Sequence, residues 1–401
     1  MSDERKKIVT AALAAIFCIA LAFAVQVVQK HAVTTKDSVT VGFVLDGDEG
    51  APYSYNFIRA IRAIETTYGD RVQLQVKYNV PYDGAQAVLD DLVQSGCDII
   101  FTNSSGYGDV AKSMAEKNPD VQFCSATCNN ANDQPPVSNY HTFMGEIYEG
   151  RYVSGKVAGM KLREMIAKGE VDENDAWMGF VAAYPYPEVI SGYTAFFLGA
   201  RSECPSVRMR VQYAQTWGNY AIEKRIAEKL IQDGCVIISQ HTNTVGPAVA
   251  CEEANLVHPV YHVGYNQDMI DVAPATSLIG TRINWTPYCI SAVEAMFSNQ
   301  RIEDVARGHV HGNDIGAGFK EGWVSMLTLN HLIAPQGCEA MIKSTIDSLS
   351  AGTCPVFVGD YVGVDPFDPA DTWDLHTEYR ENASSSSPTF HYVLQDVIAI
   401  V

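Results

Sequence analysis

The sequence predicts an α/β protein of two similar lobes, each an open and mostly parallel sheet with crossover helices. Two observations predict this fold class. Short apolar runs rich in β-branched residues alternate with segments whose apolar residues recur at helical spacing, as in parallel strands joined by helices. One such series of strands and helices also occurs twice. At 401 residues, of which 47% are hydrophobic, the chain is long enough for two domains with substantial cores.

The first series follows the N-terminal segment, and its strands end in polar or glycine-rich loops. Its elements are strand 39–45, helix 57–68, strand 72–76, helix 85–94 and strand 98–102. The second series has the same order, with strand 177–182, helix 189–202, strand 208–213, helix 221–232 and strand 236–240. A further strand at 278–283 and a helix at 288–297 follow, and we interpret the irregular segment from Asp365 onward as a wrapping tail.

The two series also match in their letters. Residues 93–100 (Val-Gln-Ser-Gly-Cys-Asp-Ile-Ile) align with residues 231–238 (Ile-Gln-Asp-Gly-Cys-Val-Ile-Ile). The triplet Gly-Phe-Val at 42–44 recurs at 179–181, at nearly the same offset. This agreement favours an internal duplication. The alternative is chance, because a glycine that ends a helix before an apolar strand is common.

The N-terminus has the pattern of an export signal, in which Arg5, Lys6 and Lys7 precede an uncharged apolar run at 8–28. The residues Ala22-Phe23-Ala24 fit a cleavage site, but an apolar run of about 20 residues is also long enough to span a bilayer. We therefore predict that residues 1–37 are a signal peptide or an N-terminal membrane anchor plus a linker. In both cases the rest of the chain is expected outside the cytoplasmic membrane, secreted or anchored to its outer face.

Charge and motifs exclude several classes of function. With 28 Lys and Arg against 47 Asp and Glu, the formal net charge is −19, so nucleic acid is not an expected partner. The sequence lacks a nucleophile elbow, a Walker loop and a zinc-protease motif. We therefore predict no enzyme activity, no cofactor and no metal site. The cysteines beyond Cys18 are expected to be buried thiols or to include a disulfide, with Cys338 and Cys354 as the most plausible local pair.

Ligands of open α/β sheets bind at the carboxyl ends of the strands. The loops at these ends are 46–56, 103–109, 184–189, 215–220, 240–247 and 265–268, with 281–287 as a further candidate. They carry aromatic rings, which can stack, and amides, which offer donors and acceptors, so they suit a flat, neutral heterocycle. The alternative is that each aromatic packs its own loop. The predicted ligand-binding residues are Tyr53, Asn56, Ser105, Tyr107, Trp217, Gln240, Asn266, Asn284 and Trp285.

Several short motifs carry a family resemblance from about Val39 to at least Met326. They are Cys-Asp-Ile-Ile-Phe-Thr-Asn-Ser-Ser-Gly-Tyr at 97–107, Tyr-Glu-Gly-Arg-Tyr at 148–152 with Gly155, Ala158 and Gly159, Pro-Tyr-Pro-Glu-Val-Ile at 185–190, Thr-Trp at 216–217, Gln-His-Thr at 240–242, Gly-Tyr-Asn-Gln-Asp-Met at 264–269 and Asn-Trp at 284–285. Together they resemble the basic membrane protein family of substrate-binding proteins for ATP-binding-cassette (ABC) importers, which is related to the purine nucleoside receptor A-like proteins.

The resemblance implies a type I periplasmic-binding-protein-like fold, with two doubly wound, Rossmann-like lobes joined by three hinge strands. On this basis we predict an N-terminal lobe of residues 38–141 and 278–307. The C-terminal lobe is predicted at 142–277 and 308–401 and includes the wrapping tail.

The resemblance also implies the ligand and the partners, which are a purine nucleoside or free base and the permease and ATPase subunits of an importer. It places Tyr53 and Trp217 against the base and Asn56 at its edge. Nucleoside-binding members carry an acid after the strand that ends near Ser125, an acid at the position of Asn266 and a lysine near Asn284, none of which this chain has. A free base such as adenine is therefore favoured. The alternatives are a membrane-anchored ligand sensor of the same fold and, less favoured, a nucleoside hydrolase.

Overall fold

A computed structural model describes residues 36–401. The strands, in chain order, are β1 (Val39–Val44), β2 (Val72–Lys77), β3 (Ile99–Thr102), β4 (Gln122–Ala126), β5 (Tyr140–Gly145), β6 (Trp177–Ala182), β7 (Arg208–Tyr213), β8 (Cys235–His241), β9 (Tyr261–Tyr265), β10 (Ser277–Ile283), β11 (His309–His311), β12 (Asp314–Ala317), β13 (Val324–Met326), β14 (Val362–Val364), β15 (Thr372–Asp374), β16 (Val393–Leu394) and β17 (Ile398–Ile400). The α-helices are α1 (Pro52–Tyr68), α2 (Ala85–Gln94), α3 (Gly108–Lys117), α4 (Ile147–Ala167), α5 (Pro187–Glu203), α6 (Tyr220–Gln232), α7 (Gly246–Ala254), α8 (Thr286–Ser298), α9 (Ile302–Val305) and α10 (Cys338–Ser350).

The strands form two seven-stranded sheets, one in each lobe. The first sheet has the order β11-β12-β5-β4-β3-β1-β2 and the second β13-β10-β9-β8-β6-β7-β17. Within them, β4-β3-β1-β2 and β9-β8-β6-β7 are equivalent parallel sets, so the repeated series in the sequence folds as a repeated unit. Helices pack on both faces of each sheet, as crossover connections require. The predicted α/β fold of two lobes is confirmed.

Two helices of the second lobe pack unusually closely. A Cβ atom added at Gly155 of α4 would lie 2.0 Å from the carbonyl oxygen of Phe196 in α5, and one at Gly159 would lie 2.3 Å from that of Ala200. Only glycine allows this approach of the two backbones. The glycine motif of α4 therefore fixes the position of α5, whose N-terminal end borders the cleft.

The chain passes between the lobes three times, at positions that differ from the predicted boundaries. Strand β5 stays in the first sheet to Gly145, and β10 pairs with β9 and β13 in the second sheet. Strands β11 and β12 return to the first sheet, where Asp314 pairs with Thr142. The crossings therefore lie after β5, β10 and β12, and not at 141, 277 and 307. The return of β12 to the first sheet depends on its pairing with β5, about 170 positions earlier, which no local pattern reveals.

The C-terminal tail contacts both lobes. Strand β17 adds a parallel edge to the second sheet beside β7, and β14 to β16 form a small separate sheet. Residues 382–387, which we call the strap, reach back to the first lobe. There the Asp314 carboxylate accepts hydrogen bonds from the backbone N–H of Ser386 (2.6 Å) and from its hydroxyl (2.5 Å). Ser387 Oγ also donates to the carbonyl oxygen of Cys128 (3.0 Å). The tail predicted as part of one lobe thus links the two.

The predicted leader, residues 1–37, lies almost wholly outside the described residues, and its cleavage or anchoring stays a prediction. No helix within residues 36–401 combines the length and the apolar character needed to cross a membrane. The nine cysteines of the described chain are all free. Cys338 Sγ lies 3.8 Å from Met160 Sδ instead of pairing with Cys354, so the predicted local disulfide is absent there.

Candidate functional site

A cleft of about 440 Å³, a volume that includes space open to solvent, lies between the lobes at the carboxyl ends of their central strands. Both lobes contribute to its wall. The first lobe contributes Asp46, Tyr53, Tyr82, Ser104, Ser105 and Thr127, and the second contributes Glu188, Trp217, His241, Asn243, Tyr265 and Asn266.

In the first lobe, a hydrogen-bond network holds a carboxylate and a ring. Asp46 and Asn103 follow the adjacent strands β1 and β3, so their side chains meet. The Asp46 Oδ1 accepts from Ser54 Oγ (2.7 Å) and from Asn103 Nδ2 (2.9 Å). Tyr53 donates its hydroxyl to the carbonyl oxygen of Asn103 (2.5 Å). Burial, with Asp46 and Glu188 adding to it, raises the pKa of Tyr53 well above its usual value, so the phenol stays a neutral donor.

In the second lobe, three aromatic rings cluster at the cleft. Trp217 packs at 5.5 Å from Tyr184 in an edge-on arrangement and at 6.3 Å from Tyr186, measured between ring centroids. Tyr184 and Tyr186 stack on each other at 5.2 Å. Trp217 is only partly buried and lines the cavity, so it lies with Tyr53 from the other lobe around one space.

Behind this wall lies a group of buried polar side chains. His241, at the end of β8, is 1% exposed and lies with its ring centroid 4.5 Å from that of Tyr265. Its Nε2 is 3.4 Å from Glu188 Oε1, too poorly aligned for a hydrogen bond. Burial lowers the pKa of His241 and outweighs the opposing effect of Glu188. The imidazole is therefore neutral at pH 7. The Glu188 carboxylate and the neutral His241 ring thus lie side by side at the cavity.

The two lobes also bind each other directly across the cleft. Asn56 of α1 donates from Nδ2 to the backbone carbonyl of Asn266, a distance of 2.9 Å. Its Oδ1 accepts from Arg282 Nη1 at 3.3 Å. Asn56 is 3% exposed, so both ends of its amide are committed to the second lobe. The structure thus has the lobes in contact around the cavity.

Four of the nine predicted ligand-binding residues, Tyr53, Ser105, Trp217 and Asn266, line the cavity. Their role in binding stays a prediction. The other five do not line it, because the fold uses their polar atoms or rings elsewhere.

The five residues placed elsewhere have identifiable partners. Asn56 joins the lobes, as described above. Tyr107 donates to the carbonyl oxygen of Val80 inside the first lobe, and Gln240 donates to those of Thr242 and Thr244. Asn284 donates to the carbonyl oxygen of Gly322 beside a crossing, and Trp285 is fully buried in a stack with Phe57.

Eight lining residues were missed by the sequence prediction. Six of them, Asp46, Ser104, Glu188, His241, Asn243 and Tyr265, lie in loops that the sequence does place at strand ends. The sequence prediction selected mainly amides and aromatic residues from these loops, so it left out Asp46, Glu188 and His241. Tyr82 and Thr127 lie outside those loops, and Tyr82 reaches the cleft from a short 3-10 turn through a hydrogen bond between its hydroxyl and Ser104 Oγ (2.9 Å).

Residues 38–344 match a family described as ABC transporter substrate-binding protein, PnrA-like. A purine-binding protein of Brucella abortus is 29% identical over 81% of this chain and 84% of its own length. A putative ABC transporter glucose-binding protein of Haloferax volcanii is 28% identical over 69% of this chain and 64% of its own length. Among solved structures, an ABC transporter solute-binding protein from Aeropyrum pernix superimposes with a TM-score of 0.61 at 14% identity, covering 78% of this chain and 92% of that one. One from Conexibacter woesei has a TM-score of 0.59 at 16% identity, covering 79% and 98%. These structures share the fold.

Proposed function

Because the chain belongs to the PnrA-like family of ABC transporter substrate-binding proteins, we propose that its cleft captures a purine, with the free base adenine favoured over a nucleoside. Proteins of this family are binding components of transporters and not enzymes. They act outside the cytoplasm together with permease and ATPase subunits. The observation that carries the ligand proposal is the pairing of Tyr53 and Trp217, one from each lobe, around a single small cavity.

The aromatic pair suits a flat ring. Stacking of a base on an aromatic side chain contributes about 1–3 kcal/mol and depends little on which base is bound. Rings from both lobes contribute fully only when the lobes are closed. Ligand binding and closure are therefore expected to reinforce each other.

The charges of the cleft narrow the choice among purines. Two carboxylates, Asp46 and Glu188, line the cavity from opposite lobes, and its lining includes no lysine or arginine. Carboxylates only accept hydrogen bonds, so they favour a ligand that donates on more than one edge and disfavour a phosphate. Free adenine has an amino group and a ring N–H, whereas adenosine has replaced that ring N–H by its sugar. The carboxylates therefore disfavour nucleotides, and the additional ring N–H of free adenine supports the free base.

A sugar is the second candidate. The Haloferax volcanii relative carries the name of a glucose-binding protein, and carboxylates can accept hydrogen bonds from sugar hydroxyls as well. The two candidates differ in two respects. A purine stacks its flat face on aromatic rings and donates through N–H groups, whereas a sugar has no flat aromatic face and donates through hydroxyls.

A thermal-shift screen followed by calorimetry tests the proposal. Adenine should raise the melting temperature of the purified protein with increasing concentration, because it binds only the folded state. Adenosine should bind more weakly than adenine, and glucose should leave the melting temperature unchanged. A shift with glucose and none with adenine, guanine or hypoxanthine would contradict the ligand proposal in favour of a sugar.

A further inference from the structure

The most unusual buried group beside the cavity is a cation without a hydrogen-bond partner. Arg151 of α4 is 0% exposed, and none of its three guanidinium nitrogens makes a hydrogen bond. Its guanidinium lies over the ring of Tyr265, 3.9 Å from the centroid. Burial lowers the pKa of Arg151 to about 10, which leaves it charged at pH 7. Since a buried charge is costly unless compensated, this arginine requires an explanation.

His241 adds two more unsatisfied atoms in the same place. Both of its ring nitrogens are buried without hydrogen bonds, although the ring lines the cavity. Both side chains border Gly192, where an added Cβ would lie 2.9 Å from His241 Nδ1 and 3.8 Å from Arg151 Nε. The other ring nitrogen, Nε2, is the one that faces Glu188.

Glu188 selects one tautomer of the neutral ring. A carboxylate can only accept, so Nε2, which faces Glu188, carries the proton, and Nδ1 is left as the acceptor. An acceptor nitrogen also suits the nearby Arg151 cation, which can only donate. This tautomer leaves Nε2–H and the Glu188 carboxylate as an adjacent donor and acceptor at the cavity, without a good hydrogen bond between them.

We propose that Glu188 and His241 recognise one edge of the ligand as a pair, with Glu188 accepting from a ligand N–H while His241 Nε2–H donates to the neighbouring ring nitrogen. Arg151 is a positioning residue, which holds the His241 tautomer from behind and balances the charge of Glu188. This inference rests on the proposed function and sharpens it. The ligand class is a neutral heterocycle in which an N–H group lies next to an unprotonated ring nitrogen, and adenine has such edges.

Analogues of adenine that lack one ring acceptor test the His241 contact. Calorimetry with 1-deazaadenine, 3-deazaadenine and 7-deazaadenine should show that one of them binds the wild type about tenfold or more weakly than adenine, the loss expected for one hydrogen bond in a buried site. In His241→Phe, adenine and that analogue should bind with about equal affinity. His241→Asn provides a second variant of the same position if the phenylalanine impairs folding, and His258→Asn, at an exposed position of the same lobe, is the control.

The Glu188 contact has a parallel test. Loss of the ligand N–H, in 9-methyladenine or in unsubstituted purine, should weaken binding to the wild type by about tenfold to a hundredfold, as for hydrogen bonds to charged groups. Glu188→Met should remove that penalty, and the exposed Glu173→Met should not.

The role of Arg151 is tested by the same measurement, the preference of the protein for adenine over the deaza analogue. Arg151→Met should erase the discrimination against the affected deaza analogue, and Arg151→Lys, which keeps the charge, should restore part of it. A merely structural arginine would lower the melting temperature without changing the ratio of the two affinities. Arg225→Met, on the exposed face of α6, is the matched control.

Two failures can be told apart. If the wild type binds no purine, the proposed function is overturned. If it binds adenine but all analogue penalties are the same in the wild type, His241→Phe and Glu188→Met, only the recognition pair is overturned.

Discussion

Asn56 and Asn266 join the two lobes through a hydrogen bond of 2.9 Å from the Asn56 amide to the Asn266 backbone carbonyl. Asn266 has a positive φ of 65°, so its backbone turns there and presents the carbonyl to the other lobe. Because the contact spans the cleft, we expect it to form only when the lobes are closed around the cavity. An amide that sequence comparison assigns to the ligand thus acts as a latch between lobes.

Asn56→Ala should therefore weaken ligand binding without removing a lining residue. Loss of a buried hydrogen bond available only in the closed form costs about 1–3 kcal/mol, or roughly fivefold to a hundredfold in affinity. Calorimetry with adenine measures the change, and small-angle scattering should show a more open ligand-free protein. Gln94→Ala, at an exposed position of the same lobe, should change neither. An unchanged affinity in Asn56→Ala would contradict the latch.

Trp217→Ala should abolish most of the ligand-dependent rise in melting temperature. Its ring is the partly buried aromatic of the second-lobe wall, and losing one stacked face costs about 1–3 kcal/mol. Trp217→Phe keeps a face and should retain most of the affinity. Full affinity in Trp217→Ala would rule out stacking and leave the fold assignment untouched.

Asp46→Asn should allow anionic ligands such as adenosine monophosphate to bind the cleft less weakly. The wild type is expected to bind adenosine monophosphate far more weakly than adenine, since Asp46 and Glu188 both line the cavity. Replacing one carboxylate by an amide should narrow the ratio of the two affinities, measured by calorimetry at low and high salt. The exposed Asp83→Asn should leave the ratio unchanged. A ratio that is unaffected by Asp46→Asn would show that its charge does not act on the ligand.

Asp314→Ala should destabilise the protein through the strap. The carboxylate is 3% exposed and accepts hydrogen bonds from Thr142, Ser385 and Ser386, including the Ser386 backbone N–H. Each buried donor left unpaired costs about 1–3 kcal/mol, so the free energy of unfolding in urea should fall by roughly 3 kcal/mol or more. Asp83→Ala, which removes an exposed acid, should have little effect. A small effect of Asp314→Ala would indicate that the strap is not held there.

Glu149 should make stability depend on pH. Burial raises the pKa of this carboxyl from 4.5 to about 7, against the opposing hydrogen bond from the Phe319 N–H (2.6 Å). The folded protein therefore keeps the proton longer than the unfolded chain. Glu149 lowers stability progressively as the pH rises from 4.5 to about 7, and it has little effect below that range.

The test is Glu149→Gln, which cannot ionise but can still accept the Phe319 hydrogen bond. Urea denaturation should give equal stabilities for variant and wild type near pH 4.5. At pH 8 the variant should be more stable, by about 1–3 kcal/mol. The exposed Glu170→Gln serves as control. Equal stabilities at both pH values would mean that Glu149 ionises normally in the folded state.

Much of the fold follows from local patterns in the sequence. Apolar runs at 39–45 and 98–102 become the buried strands β1 and β3, because a strand covered on both faces needs continuous apolar residues. The glycines Gly96 and Gly234, which occupy the same position in the two repeated segments, also have a local structural reason. Both glycines follow a helix with a positive φ, of 80° and 90°, a conformation that glycine adopts without strain. The predicted ends of the strands also indicated most of the loops that surround the cavity.

The sequence by itself determined the α/β class, the two repeated units and the loops that face the cleft, because short-range periodicity and turn residues encode them. Only the tertiary structure decided which lobe receives β10, β11 and β12, because β12 pairs with the distant strand β5 and takes its neighbour β11 with it, while β10 pairs with β9 of the second sheet. It likewise decided that Trp285 is buried and that Asn56 bonds to the other lobe, while Glu188 and His241 reach the cavity. A loop sequence states which side chains are available, but the packing of the elements around it sets where each one points.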